Sequence, residues 1–168
     1  MNASGHFCED ITPTLTQGTG EAYRIGNSIK IHAMYGKIQM RNTNAQTAQV
    51  RFIVEIIRVK GDPYTSMSTF VADYLAGNPF IGAYNAATVY DWYSPRNTQN
   101  MTKFQRILYK RVTMKADSVS GQNQQAECTL KIRPNMHLKW ENDLLTTPNN
   151  GQLILLIRCD RGNYGAVS

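Results

Sequence analysis

The stretch that decides the fold is Cys128-Thr-Leu-Lys-Ile-Arg-Pro-Asn-Met-His-Leu-Lys-Trp140. Cys128, Leu130, Ile132, Met136, Leu138 and Trp140 occupy even positions, and Thr129, Lys131, Arg133, Asn135, His137 and Lys139 the odd ones. Strict alternation by two belongs to a strand with one face in a core and the other in water. The outer face here is basic. Pro134 interrupts the run, and because it has no N–H to donate, it implies an edge position or a break.

Outward from this segment the same period recurs. Val50 to Val59 reads as a strand with Val50, Phe52, Val54 and Ile56 on one face and a mixed second face (Arg51, Ile53, Glu55, Ile57), which implies cover on both sides; Gly61-Asp62-Pro63 ends it. Leu153 to Ile157 is apolar without interruption, as in a strand buried on both faces. Phe104 to Ala116 is a long strand whose apolar parity changes, which places an irregularity near Lys110. Ile29, Ile31, Ala33 and Tyr35 put apolar groups on odd positions while Ile38 and Met40 put them on even ones, which places a bulge or bend near Gly36. Shorter strands are expected at Ile11 to Thr16, Thr88 to Tyr93 and Tyr164 to Val167, with a polar turn over Ser118 to Gln125. The one helix is Ser66 to Ala76, with a Ser cap, Phe70, Val71, Tyr74 and Leu75 at helical spacing, and Gly77-Asn78-Pro79 as its stop. Strands in this number, one short helix in a loop and no βαβ rhythm indicate an all-β chain, an antiparallel sandwich or barrel.

The totals fit one domain over residues 1–168: 42% of the residues are apolar, enough for a sizeable core, and residues 1–10 are expected to be a mobile lead-in. No apolar run approaches the ~18 residues of a membrane span, and the first residues lack a signal-peptide pattern. Cys8, Cys128 and Cys159, odd in number and widely spaced, suit free thiols. The net charge of +6 is unevenly placed: Trp92 to Ala116 holds no acid, yet contains Arg96, Lys103, Arg106, Lys110, Arg111 and Lys115.

Enzyme motifs are scarce. Gln17-Gly-Thr-Gly-Glu-Ala-Tyr23 lacks the third glycine and the following helix of a dinucleotide loop, and Gly26-Asn-Ser28-Ile-Lys30 fails the last position of Gly-x-Ser-x-Gly. His6-x-Cys8 is a lone pair, and His32 and His137 have no acid or Cys at ligand spacing, so no metal or cofactor is expected. The basic and aromatic residues remain. Lys103, Arg106, Lys110 and Arg111 on one strand, with Lys131 and Arg133 on another, could neutralise phosphates near aromatic rings that stack bases. Equally, such cations keep strand edges soluble.

The order Gln17-Gly-Thr-Gly-Glu, Arg24-Ile-Gly-Asn27, Ile29-Lys-Ile31 and Val50-Arg-Phe-Ile-Val54, continuing through Asp91-Trp-Tyr and Gly151-Gln-Leu-Ile-Leu-Leu, resembles the capsid proteins of small circular single-stranded DNA viruses. It is similar in particular to those whose capsids are like the coat protein of satellite tobacco necrosis virus. The resemblance implies a single eight-stranded antiparallel jelly roll without catalytic residues, found in virions and in the host nucleus or cytoplasm during assembly. Copies of it would enclose single-stranded DNA in a T=1 icosahedral shell of about 60 subunits, with no membrane. In such a shell Arg24, Tyr64, Met67, Phe80, Tyr84 and Tyr93 are expected to be subunit contacts. Family members usually begin with an Arg- and Lys-rich arm that reaches the genome, whereas residues 1–23 contain neither residue. Either such an arm lies outside this chain, or genome contacts fall to shell-facing strands. Two other readings stay open: a single-stranded nucleic-acid-binding β-barrel that forms no shell, and a cupin-type enzyme or lectin, which would need a His-rich site.

Overall fold

The computed structural model describes residues 6–18, 26–42, 49–77, 90–114, 124–141 and 147–160. These residues form eight strands: β1 (His6–Asp10), β2 (Ser28–Ile31), β3 (Met34–Asn42), β4 (Val50–Val59), β5 (Phe104–Met114), β6 (Gln124–Ile132), β7 (Met136–Lys139) and β8 (Leu153–Cys159). One α-helix, α1 (Met67–Tyr74), and a 3-10 helix, Thr98–Lys103, lie between β4 and β5. All strand pairs are antiparallel, and the chain is an all-β protein.

The pairs are nested about the middle of the chain. His6 opposes Arg158, Ile31 opposes Met136, Met34 opposes Ile132, and Val59 opposes Phe104. The described strands thus run as one long hairpin. β8 also pairs with β4, from Phe52 against Cys159 to Arg58 against Leu153, which folds the hairpin over into a sheet of order β1-β8-β4-β5. The pairs β2–β7 and β3–β6 follow end to end as a second, two-stranded layer.

The break between those two pairs follows from Pro134. Two residues, His32 and Ala33, lie opposite three, Arg133 to Asn135, between the partners Ile31–Met136 and Met34–Ile132. Pro134 cannot donate to a ladder, and Asn135 takes a left-handed φ of 42°. The phase change expected near Gly36 therefore falls three residues earlier, and Gly36 pairs regularly with Leu130. As a consequence Tyr35, expected among the inward residues, is 69% exposed. On β5 the irregularity expected near Lys110 falls at Ile107, where the register to β4 shifts between Ile56 and Ile57.

Four other expectations change. The first strand is His6–Asp10 rather than Ile11 to Thr16, so these residues form a paired edge of the sheet and not a mobile lead-in. Pairing stops because the Asp10 carboxylate accepts from the Thr12 N–H at 2.8 Å and turns the chain, while Thr12 Oγ1 accepts from the Leu153 N–H at 2.8 Å. Residues 90–93 form a turn rather than the end of a strand, and Gln124–Gln125 already belong to β6. The helix starts after Ser66 as expected, although the Ser66 hydroxyl makes no capping bond. It ends at Tyr74, two residues short of the expected Ala76, because Leu75 is extended and bridges Arg96 while Ala76 N–H donates to Pro95 O at 2.8 Å. Residues 164–167, and residues 19–25 between β1 and β2, lie outside the described residues.

Three layers result. The even face of β4 (Phe52, Val54, Ile56) meets Cys128, Leu130, Ile132, Met136, Leu138 and Trp140 of the ribbon in the main core. The other face of the sheet (Ile57, Val59, Ile154, Leu156) packs under α1 through Phe70, Val71, Tyr74 and Leu75. β4 and β8 are thereby covered on both sides, as their sequences require. Cys8, Cys128 and Cys159 are free thiols.

Two glycines carry positive φ, Gly26 at 77° and Gly151 at 72°. A Cβ on Gly26 would meet nothing within 4 Å, whereas one on Gly151 would stand 2.5 Å from Met136 Cε and 3.1 Å from Leu138 Cδ2. Gly26→Ala should therefore cost only the backbone term, about 1–2 kcal/mol, and Gly151→Ala about 2–4 kcal/mol once overpacking is added; urea midpoints of the two variants give the ranking. Burial, with help from Asp10, pushes the Cys8 thiol from 9.0 to about 12. The folded thiol stays protonated where an unfolded one ionises, so this contribution is complete below pH 9 and is lost as pH rises towards 12. Denaturation followed against pH should show that loss, reduced in Cys8→Ser.

Candidate nucleic-acid interface

The six cations singled out in the sequence do not form one patch. Arg106 and Arg111 lie on the helix-side face of the sheet, Lys131 and Arg133 on the solvent face of the ribbon, and Lys103 and Lys110 on neither.

On the sheet, parity and the bulge set the order. Tyr109 opposes Glu55 and Arg111 opposes Ile53, while Arg106 opposes Ile57 on the far side of the bulge. The Arg106 guanidinium lies 4.6 Å from the Tyr109 ring centre, and that of Arg111 lies 5.7 Å from the same ring and 5.8 Å from Trp92. The guanidinium of Arg51, on β4, sits 5.3 Å from the Trp92 ring centre. Each spacing is within the range of a cation–π contact. Trp92 reaches this position because the 91–94 turn is tied down: Trp92 N–H donates to Cys159 O at 3.2 Å, Tyr93 N–H to Asp91 Oδ1 at 2.9 Å, and Asp91 N–H to Ser94 Oγ at 2.9 Å. Sequence reading found Arg106 and Arg111 but missed Arg51 as their partner. Trp92-adjacent charge on a different strand leaves no signal in local spacing.

Two carboxylates, Glu55 and Asp160, neutralise part of this array. Arg158 Nη2 donates to Glu55 Oε2 at 2.7 Å with both side chains buried, and Arg106 Nη1 reaches Glu55 Oε1 at 3.4 Å. Tyr74 Oη donates to Glu55 Oε1 at 3.2 Å; burial first, then Glu55, holds its phenol well above the ordinary range. Arg158 Nη1 donates to Ser94 O at 2.7 Å and Asp91 O at 3.3 Å. Arg51 pairs with Asp160 at 2.7 Å, an exposed contact whose hydrogen bond raises the Arg51 pKa. Lys103 is 3.8 Å from Asp73, and Lys110 is turned towards the ribbon, donating to Thr129 O.

The ribbon's solvent face is different in kind. Lys30, Lys37, Lys131, Arg133 and Lys139 are exposed there with His32, His137 and Tyr35. Its described carboxylate is Glu127, bonded to Lys37 at 2.8 Å and to Gln39 at 2.9 Å, which together hold it below the usual carboxylate range. Lys131 Nζ lies 5.6 Å from the Tyr35 ring centre. Lys30, Lys37 and Lys139 were readable as strand cations, but only the β2–β7 and β3–β6 registers bring them beside Lys131.

Of the residues expected at subunit contacts, Tyr64 stacks at 6.1 Å on Phe104 and edge-on at 5.5 Å to Phe70, with its hydroxyl donating to Asp73 Oδ2 at 2.7 Å. Met67 also leans on the α1 core. Tyr93 is 46% exposed, and Arg24, Phe80 and Tyr84 lie outside the described residues. Among the described residues no three His, Cys, Asp or Glu side chains gather where they could share a metal ion. No protein-family model and no curated protein matches the chain.

Removing one partner of the buried pair leaves an uncompensated charge: Glu55→Ala or Arg158→Ala should lose about 3–5 kcal/mol, whereas Glu55→Met with Arg158→Met together should lose less than either alone. Urea unfolding of the three variants measures the difference.

Proposed function

We propose that this chain is a coat protein whose work is self-association into a small icosahedral shell around single-stranded DNA. The observation that carries the reading is the strand order. If β2 with β3 and β6 with β7 are each one interrupted strand, the sheet β1-β8-β4-β5 joins the first, last, third and sixth strands of an eight-stranded jelly roll, and the ribbon joins its second and seventh. Between β4 and β5 the described residues hold α1 and the 3-10 helix, and residues 78–89 lie outside the described set. A jelly roll of two Greek keys is an architecture that viral capsids share with lectins and cupins, so topology alone supports several functions.

Two further points favour the coat protein. The ordered resemblance to capsid proteins of small circular single-stranded DNA viruses runs from Gln17 to Leu156. The space between sheet and ribbon is filled by apolar side chains from Phe52 to Trp140, so the described interior offers no polar ligand site of the cupin kind and function is left to outer surfaces. Exposed aromatics of the sheet layer, Tyr93 and Phe7, suit contact between copies.

Purified protein should sediment as a large particle and appear as uniform closed shells by electron microscopy under at least some ionic conditions. A protein that remains a monomer across all salt concentrations and pH values would overturn the reading.

A further inference from the structure

The two basic faces differ in how much charge they leave for a partner. On the helix-side face of the sheet, Arg51 is satisfied by Asp160, and Arg106 and Arg158 by Glu55. With Arg111, which donates to Tyr109 Oη, this face carries four arginines against the two carboxylates Asp160 and Glu55, so half of its charge is compensated. On the ribbon, Lys30, Lys131, Arg133 and Lys139 have no carboxylate partner among the described residues, and Lys37 alone is paired.

The order along the ribbon is regular. Lys139 stands opposite Ser28 and Lys30 opposite His137; Arg133 follows at the break, then Lys131 opposite Tyr35 and Lys37 opposite Thr129. From Lys139 to the level of Lys37 is about 33 Å at strand rise. A cation therefore recurs about every 7 Å on one strand or the other, because outward residues alternate by two, except across Asn135 at the break, where the levels of Lys30 and Arg133 are about 13 Å apart. The Tyr35 ring stands in the same row, 69% exposed and beside Lys131.

We propose that the solvent face of the β2–β3/β6–β7 ribbon is a binding surface for single-stranded nucleic acid, with Lys30, Lys131, Arg133 and Lys139 on the phosphates and Tyr35 as a stacking platform. A straight row suits an extended single strand that can lie along it; a rigid duplex would touch it over a shorter arc. An open aromatic face adds what a base can use and a sulfated polysaccharide cannot. The inference does not rest on shell formation, since it concerns a surface of one subunit, and binding is measured on the dissociated protein so that the two can fail separately.

The test is fluorescence anisotropy with a labelled oligothymidylate of about 20 nucleotides over a salt series. Four phosphate contacts give a slope of log K against log salt of about −3, at −0.7 per contact on a single strand. Lys30→Gln, Lys131→Gln and Lys139→Gln together should cut that slope to about −1 and weaken binding about tenfold or more at low salt, while the three Lys→Arg changes should restore it. Arg106→Ser with Arg111→Ser should leave slope and affinity near wild type. Tyr35→Ser should weaken oligothymidylate binding but not heparin binding. The proposal is overturned if the wild type does not bind at low salt, if the sheet-face variant loses as much as the ribbon variant, if the arginine variant fails to restore binding, or if heparin binds through the same cations more tightly than the oligonucleotide and Tyr35→Ser affects neither.

Discussion

Glu55 is fully buried in the centre of the four-stranded sheet, and its carboxylate is the point on which the helix-side layer converges. Arg158 answers it from the neighbouring strand, Arg106 from the opposite one and Tyr74 from the helix above. A charge taken out of water is tolerated only when its hydrogen bonds are supplied. Here the suppliers come from three separate parts of the chain. Arg158 then extends the network to the carbonyls of Asp91 and Ser94, which fixes the turn that carries Trp92. Register between β4 and β8, the seat of α1 and the position of Trp92 are therefore set by one group of contacts. A slip of one residue in β4 would put the carboxylate into the apolar core on the other side of the sheet.

That arrangement decides what each surface can do. The sheet is enclosed by the ribbon below and by α1 above, so β4 and β8 have no side left for a partner. Part of the positive charge on the helix-side face is taken up by Glu55, in the network that holds the layer together, and part by Asp160. The ribbon, by contrast, has only one face in the core, and its cations are held apart by strand geometry rather than drawn to carboxylates. In the proposed reading the division is functional: one layer gives the subunit its shape, and the other presents charge to nucleic acid.

Much of this was legible in the sequence, and the limits of legibility have physical causes. β4 and β8 were readable because burial on one or both faces leaves a direct trace in the order of apolar residues. Pro134 was readable as a break because its chemistry is local. The bulge near Gly36 was misplaced because the constraint comes from the partner strand: Pro134 and Asn135 force the slip at His32 and Ala33, and nothing in β3 itself records it. Ile107 likewise takes a register shift that depends on β4. The strand at His6–Asp10 was missed because its pattern is short and mixed, and pairing with β8 outweighs its weak local preference. For the candidate site, cations could be counted along each strand, but which were already paired could not, since Glu55, Asp160 and Asp73 reach them across the fold.

The central claim is that a hairpin rolled over on itself forms a shell subunit whose ribbon meets the nucleic acid. A cryo-electron microscopy reconstruction of particles assembled from this chain tests it most directly. The account predicts closed shells in which the face bearing Lys30, Lys131, Arg133 and Lys139 lines the interior beside nucleic-acid density. Shells with that face outward and the Trp92 face against the nucleic acid, or the absence of any closed particle, would contradict it.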